Sequence, residues 1–123
     1  MILADTSVWV AHLRAADPVF TERLNAGEIM AHRFVIGELA MGNLGRRAGT
    51  LQFLDELPKA VAASDVEVRD LVERYRLHGL GIGYIDAHLL ASCRLTPAAR
   101  LWSRDRRLQE AAEQLSLAVK PTL

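Results

Sequence analysis

Three carboxylates, Asp5, Glu38 and Asp86, stand where their neighbours give them little reason to be, and a fourth, Asp105, stands at the end of a strand. Asp5 follows "MILA", Glu38 interrupts "FVIGELAM", Asp86 interrupts "GYIDAHLLA", and Asp105 sits where "RLW" hands over to a polar helix. An uncompensated charge in a segment that otherwise reads as core costs roughly several kcal/mol. Glu22, Asp55, Glu56, Asp65, Glu67, Asp70, Glu73, Glu110 and Glu113 raise no such question, because they fall in first turns or on polar faces of helices. Asp105 has an ordinary reading as a helix N-cap, a position aspartate favours.

If the four converge in one crevice, they repel one another and raise each other's pKa unless a cation neutralises them. An oxygen-only donor set favours magnesium or manganese over zinc, and magnesium keeps waters that it shares with substrate phosphates. The chemistry that follows is metal-assisted attack of water on a phosphodiester. Asp5 and Asp86 are expected to hold the ion most directly, with Glu38 and Asp105 completing the site or orienting the water. Thr6, Ser7 and Ser103 stand beside these acids and suit hydrogen bonds to carboxylates or ligand waters, although capping and turn roles explain them equally well. His88 points to a different helix face from Asp86, and His12, His32 and His78 occupy no metal spacing, so all four read as structural. Trp9, Trp102, Tyr84 and Phe34 have faces on which bases stack, but aromatics in apolar runs read first as core.

The elements that must carry these groups alternate. "MILA" predicts a short buried strand, followed at once by a helix to about Arg14 capped by Thr6 or Ser7. Pro18 suits the first turn of a second helix, which ends near Asn25 and Gly27. "EIMA" predicts a second strand and Arg33 to Met41 a largely buried helix. "GNLGRRAG" reads as a mobile loop before a helix from about Thr50 to Leu57, ended by Pro58. "KAVAA" reads as a third strand, and Ser64 with Glu67 forms a capping box for an amphipathic helix that stops at "HGLGIG". "YIDAHLLASCRL" reads as a helix, "ARLW" as a fourth strand, "DRRLQEAAEQL" as a helix and "LAVK" as a final strand. Short apolar strands separated by helices predict a three-layer α/β domain with a central, mainly parallel sheet. In such a sheet ligands bind beyond the carboxyl ends of the strands, where Asp5 and Asp105 fall.

The 123 residues fit one domain, 1–123, with no repeat and no dividing linker. The lone Cys93 excludes an intramolecular disulfide and a cysteine-rich zinc site, and points to a reducing, cytoplasmic setting. No basic leader or membrane-length apolar run is present, which predicts a protein neither exported nor anchored. Fifteen basic residues balance fifteen acidic ones, so any polyanion must be met by a local patch. The arginines cluster in "GRRAG" (Arg46, Arg47) and in "ARLWSRDRRL" (Arg100, Arg104, Arg106, Arg107), clusters that suit a phosphate track, with Arg46, Arg47, Arg104 and Arg106 as the candidate RNA contacts and a solvated basic face as the equal alternative.

In order and spacing, these motifs resemble those of PIN-domain ribonucleases, and in particular the VapC toxins of bacterial toxin–antitoxin pairs. "ILADTSVWV" resembles the family's opening strand and first acid, "GELAMG" its E-L-x-x-G segment, and "IDAHLLAS" its third-acid helix. "LWSRDRRL" resembles the fourth motif, with Ser103 in the place usually held by threonine. The resemblance covers nearly the whole chain. It implies a PIN fold, a homodimer, Mg2+ with Mn2+ as the alternative, and cleavage of single-stranded or loop RNA leaving a 5′-phosphate. It also implies a VapB-like antitoxin whose tail occupies the catalytic groove. A solitary RNA-processing nuclease and a non-cleaving PIN-like module that binds RNA or protein are the rival readings. A phosphoaspartate enzyme of the haloacid dehalogenase type would need an aspartate at position 7, which is Ser7. A receiver domain would need adjacent early acids and a late lysine, and the only lysines are Lys59 and Lys120.

Overall fold

The computed structural model describes residues 1–119. Its centre is strand β1 (Ile2–Ala4), buried along its whole length. After it come helices α1 (Thr6–Arg14) and α2 (Pro18–Asn25), strand β2 (Ile29–Met30), and helices α3 (Arg33–Ala40), α4 (Arg47–Glu56), α5 (Asp65–Arg74) and α6 (Tyr84–Leu95). Strand β3 (Arg100–Trp102) and helix α7 (Arg106–Gln114) complete the order. The three strands form one parallel sheet in the order β2-β1-β3, with Ile2 opposite Ile29 and Leu3 opposite Leu101. A strand flanked on both sides and covered by helices must be apolar on both faces, which is why "ILA" shows no alternation.

The expected α/β architecture is what folds, with differences at its edges. "KAVAA" makes a single parallel bridge, Ala31 with Lys59, instead of a strand. The Lys59 ammonium turns back onto the carbonyls of Leu54, Asp55 and Leu57 at the end of α4, and the Val61 N–H goes to Thr96 Oγ1, so the backbone leaves the sheet after one residue. "LAVK" likewise supplies one parallel bridge, Leu101 with Ala118, and its Lys120 lies outside the described residues. The "GNLGRRAG" loop is shorter than its composition suggests, since α4 already begins at Arg47. The Arg47 guanidinium donates to the carbonyls of Ala40 and Gly42, tying the loop to the end of α3.

Helix starts follow local chemistry. Ser64 and Glu67 form the reciprocal capping box at α5, and Asp17 accepts from the Val19 and Phe20 N–H groups ahead of Pro18. At α1 the cap is Asp5, not Thr6 or Ser7. The path from β1 to β2 and the path from β2 to β3 run in opposite directions across the sheet. Right-handed crossovers therefore put helices on both faces, and the reversal opens a crevice beyond the carboxyl ends of β1 and β3. The core that holds these layers includes Leu3, Trp9, Phe20, Leu54, Leu90, Leu101 and Leu108, all fully buried. Among the described residues no helix is long and apolar enough to cross a membrane.

Candidate active site

The crevice is built by two strand-to-helix turns locked together. The Asp5 N–H donates to the Trp102 carbonyl at 3.0 Å, so β1 and β3 release their chains side by side. Asp5 is 5% exposed, and both its carboxylate oxygens are engaged. Oδ1 accepts from the Val8 N–H at 3.1 Å and from the Ser7 hydroxyl, while Oδ2 accepts from the Ser103 hydroxyl at 2.6 Å. Each serine also reaches further along the β3 turn: Ser7 Oγ accepts the Arg104 N–H and Ser103 Oγ accepts the Asp105 N–H, both at 2.9 Å. The carboxylate of Asp105 then caps α7 by accepting the N–H groups of Arg107 and Leu108.

Ser103→Ala would leave the buried Oδ2 of Asp5 and the Asp105 N–H without their partner. We expect it to destabilise the protein by about 1–3 kcal/mol, measured by urea unfolding. Ser103→Thr, which keeps the hydroxyl, should recover most of that loss.

Glu38 arrives from α3, and its Oε1 accepts the Thr6 hydroxyl at 2.6 Å. The expectation of a core position for Glu38 is corrected: its side is exposed, while the helical period sends Val35 and Leu39 inward. Asp86 lies in the first turn of α6, half-buried, with Oδ2 accepting the Gly83 N–H at 2.9 Å. Burial raises the Asp86 carboxyl above the usual aspartate range, the Gly83 N–H works against that, and the charges of Asp105, Asp5 and Glu38 add to the rise. The four acids thus share one electrostatic neighbourhood, and no basic group figures among the causes that shift Asp86.

Among the described residues, no group of three Asp, Glu, His or Cys side chains is close enough to hold a metal ion by direct ligation as it stands. The donor chemistry nevertheless fits a hard cation. Glu38, Asp86 and Asp105 each keep a carboxylate oxygen with no hydrogen-bond donor among the described residues. Magnesium needs only one or two carboxylates, with waters bridging to the rest.

The structure does not bring every candidate here. Arg47 is committed to the α3–α4 loop, Arg46 is the left-handed residue (φ 50°) ahead of α4, and Arg106 pairs with Glu110 at 3.1 Å. Arg104 is exposed directly beside the crevice. His88 is buried, with Nε2 bonded to Asp65 at 3.1 Å, and Trp9 packs edge-on against Phe20 in the core. One group escaped the sequence reading: Gln109 Oε1 accepts the Ser103 N–H at 3.2 Å, visible in sequence only as the i,i+4 partner of Asp105. Arg107, one of the arginines clustered in "ARLWSRDRRL", lies with its side chain against Gly81.

A PIN domain family model matches residues 2–114. Two curated relatives, both called Ribonuclease VapC32, from Mycobacterium tuberculosis strains CDC 1551 / Oshkosh and ATCC 25618 / H37Rv, are each 45% identical over 119 residues. The match covers 97% of this chain and 96% of each relative. The model spans the sheet and every helix that delivers an acid to the crevice, and similarity this high over nearly full length leaves no part of that framework unmatched. The chain belongs to the PIN-domain family, among its VapC ribonucleases.

Proposed function

We propose that this chain, acting as one domain, is a divalent-metal-dependent endoribonuclease and the toxin of a VapBC-type pair. On this reading it hydrolyses RNA phosphodiesters with water as the nucleophile. The observation that carries the reading is the shared electrostatic neighbourhood of Asp5, Glu38, Asp86 and Asp105 at the carboxyl edge of a parallel sheet, with no basic side chain offsetting Asp86. The matching relatives carry the name ribonuclease, which agrees with it.

Mg2+, or Mn2+ in its place, would be held by the free oxygen of Asp86 and by Asp5 Oδ2, which accepts a single hydrogen bond and keeps a second lone pair, with Glu38 and Asp105 reached through waters. When bound, the ion supplies Lewis-acid stabilisation of phosphate charge and a more acidic water. The protein's own part is positional. Ser103 and Ser7 fix the Asp5 carboxylate, Thr6 turns Glu38 toward the crevice, and the Gly83 N–H fixes the Asp86 rotamer. The exposed acids, Glu38 and Asp105, are the ones able to meet a water from the solvent side. A VapB-like antitoxin covering this crevice, a homodimeric state and a cytoplasmic setting complete the proposal.

The test is cleavage of a loop-containing RNA by antitoxin-free protein in EDTA, Mg2+ or Mn2+, comparing the parent with Asp5→Asn and Asp86→Asn. Cutting by the parent with metal, none in EDTA, and loss in both variants is the expected outcome. Failure of the parent to cut with either metal, or full activity in both variants, would end the proposal.

A further inference from the structure

Of the arginines at the start of α7, Arg106 is paired with Glu110, and Arg107 is not paired with any carboxylate among the described residues. Arg107 also differs in where its side chain goes. It crosses from α7 to the α5–α6 loop and lies on the backbone of Gly81. A Cβ built there would stand 2.6 Å from Nη1, 2.8 Å from Cδ and 3.1 Å from Cζ of Arg107. Gly81 (φ 81°) therefore leaves the space that the guanidinium occupies. Both ends of this crossing belong to the acid crevice. The Arg107 N–H is held by Asp105, and Gly81 lies two residues before Gly83, whose N–H holds Asp86. The guanidinium thus spans the seam between the turns that carry two of the four acids, exposed to solvent and free to meet an anion.

We propose that Arg107, laid across Gly81, contacts the RNA backbone phosphate next to the bond being cut. A planar guanidinium fits two phosphate oxygens at once, which a lysine ammonium does not. The inference rests on the ribonuclease reading and adds to it a substrate contact. Gly81 acts only by making room.

Cleavage of a loop RNA is measured with Mn2+ at several salt concentrations. Arg107→Ala should raise KM about tenfold with kcat changed less than about twofold, and should lower the salt slope of log kcat/KM by about one. Arg107→Lys should recover part of the KM and the whole salt slope. Gly81→Ala, whose methyl displaces the guanidinium while leaving the charge in the chain, should raise KM as well. Arg74→Ala, removing the same charge from the far end of α5, should leave KM and slope where they were.

If the parent cuts and Arg107→Ala keeps its KM and slope, the inference is overturned and the ribonuclease reading stands. If the parent does not cut, that reading falls. Binding of the same RNA by fluorescence anisotropy then decides Arg107: equal affinity in parent and Arg107→Ala overturns the contact, and an approximately tenfold loss supports it.

Discussion

Asp86→Asn is expected to lower RNA cleavage about a thousandfold and, in the absence of metal, to raise the melting temperature. The two effects have one cause. Asp86 is held half-buried against the charges of Asp105, Asp5 and Glu38, and its raised pKa means that the folded protein resists its ionisation. Asparagine removes that repulsion, and its carbonyl still accepts the Gly83 N–H, so the first turn of α6 keeps its tie. A gain of a few degrees is what ~1 kcal/mol produces in a domain of this size. The carboxylate that a cation needs is gone, and a thousandfold loss corresponds to about 4 kcal/mol of transition-state stabilisation.

Asp5→Asn separates the effects. It should lose cleavage similarly but also lose stability, because both oxygens of buried Asp5 accept hydrogen bonds and an amide offers only one acceptor. Differential scanning calorimetry beside the cleavage assay reads both quantities. An Asp86→Asn protein that melts below the parent while cutting normally would contradict the account of the crevice.

The second large effect is a loss of stability on mild acidification, traceable to His32. This ring is 2% exposed, and burial, helped by the charges of His88 and Arg33, lowers its pKa to about 4. Its Nδ1 accepts the Phe34 N–H as the cap of α3, and its Nε2 faces Ser92 Oγ at 3.1 Å, so the added proton would have to enter at the capping nitrogen. The unfolded chain takes up that proton near pH 6.5, while the folded one does so only near pH 4. Between those values the unfolded state holds more protons, so stability is full above pH 6.5 and falls as the pH drops toward 4. The loss is about 3 kcal/mol for one site.

Asp86 acts in the opposite direction, since a raised carboxyl pKa favours the folded state on acidification. The measurement is therefore made in Asp86→Asn. There, His32→Asn, which retains an N-cap oxygen without a titrating ring, should flatten the urea-unfolding profile between pH 6.5 and 4. An unchanged slope would remove His32 as its source.

The local signals in the sequence are strong where the physics is local. "YIDAHLLASCRL" is α6 from its first residue to its last, and Ser64 with Glu67 marks the start of α5, because caps and helical periods are set by residues three or four apart. The same logic failed at Thr6 and Ser7. Their hydroxyls look like caps, but Asp5 takes the capping role, leaving Thr6 for Glu38 and Ser7 for the turn after β3. "KAVAA" had the composition of a strand, yet Lys59 and Val61 find partners in α4 and Thr96 that the segment does not reveal.

By itself the sequence determined the alternation of strands and helices and the presence of four acids whose types suit a hard cation. Only the tertiary structure decided which neighbours those acids have. Asp5 meets Ser103 across 98 positions and Thr6 meets Glu38 across 32, distances over which sheet order and crossover hand, not side-chain spacing, choose the partner. The arginines divide in the same way. Arg46, Arg47, Arg104, Arg106 and Arg107 are equivalent charges in the sequence, but in the fold Arg47 goes to nearby carbonyls, Arg106 to a nearby carboxylate and Arg107 to an open glycine, while Arg104 stays exposed beside the crevice.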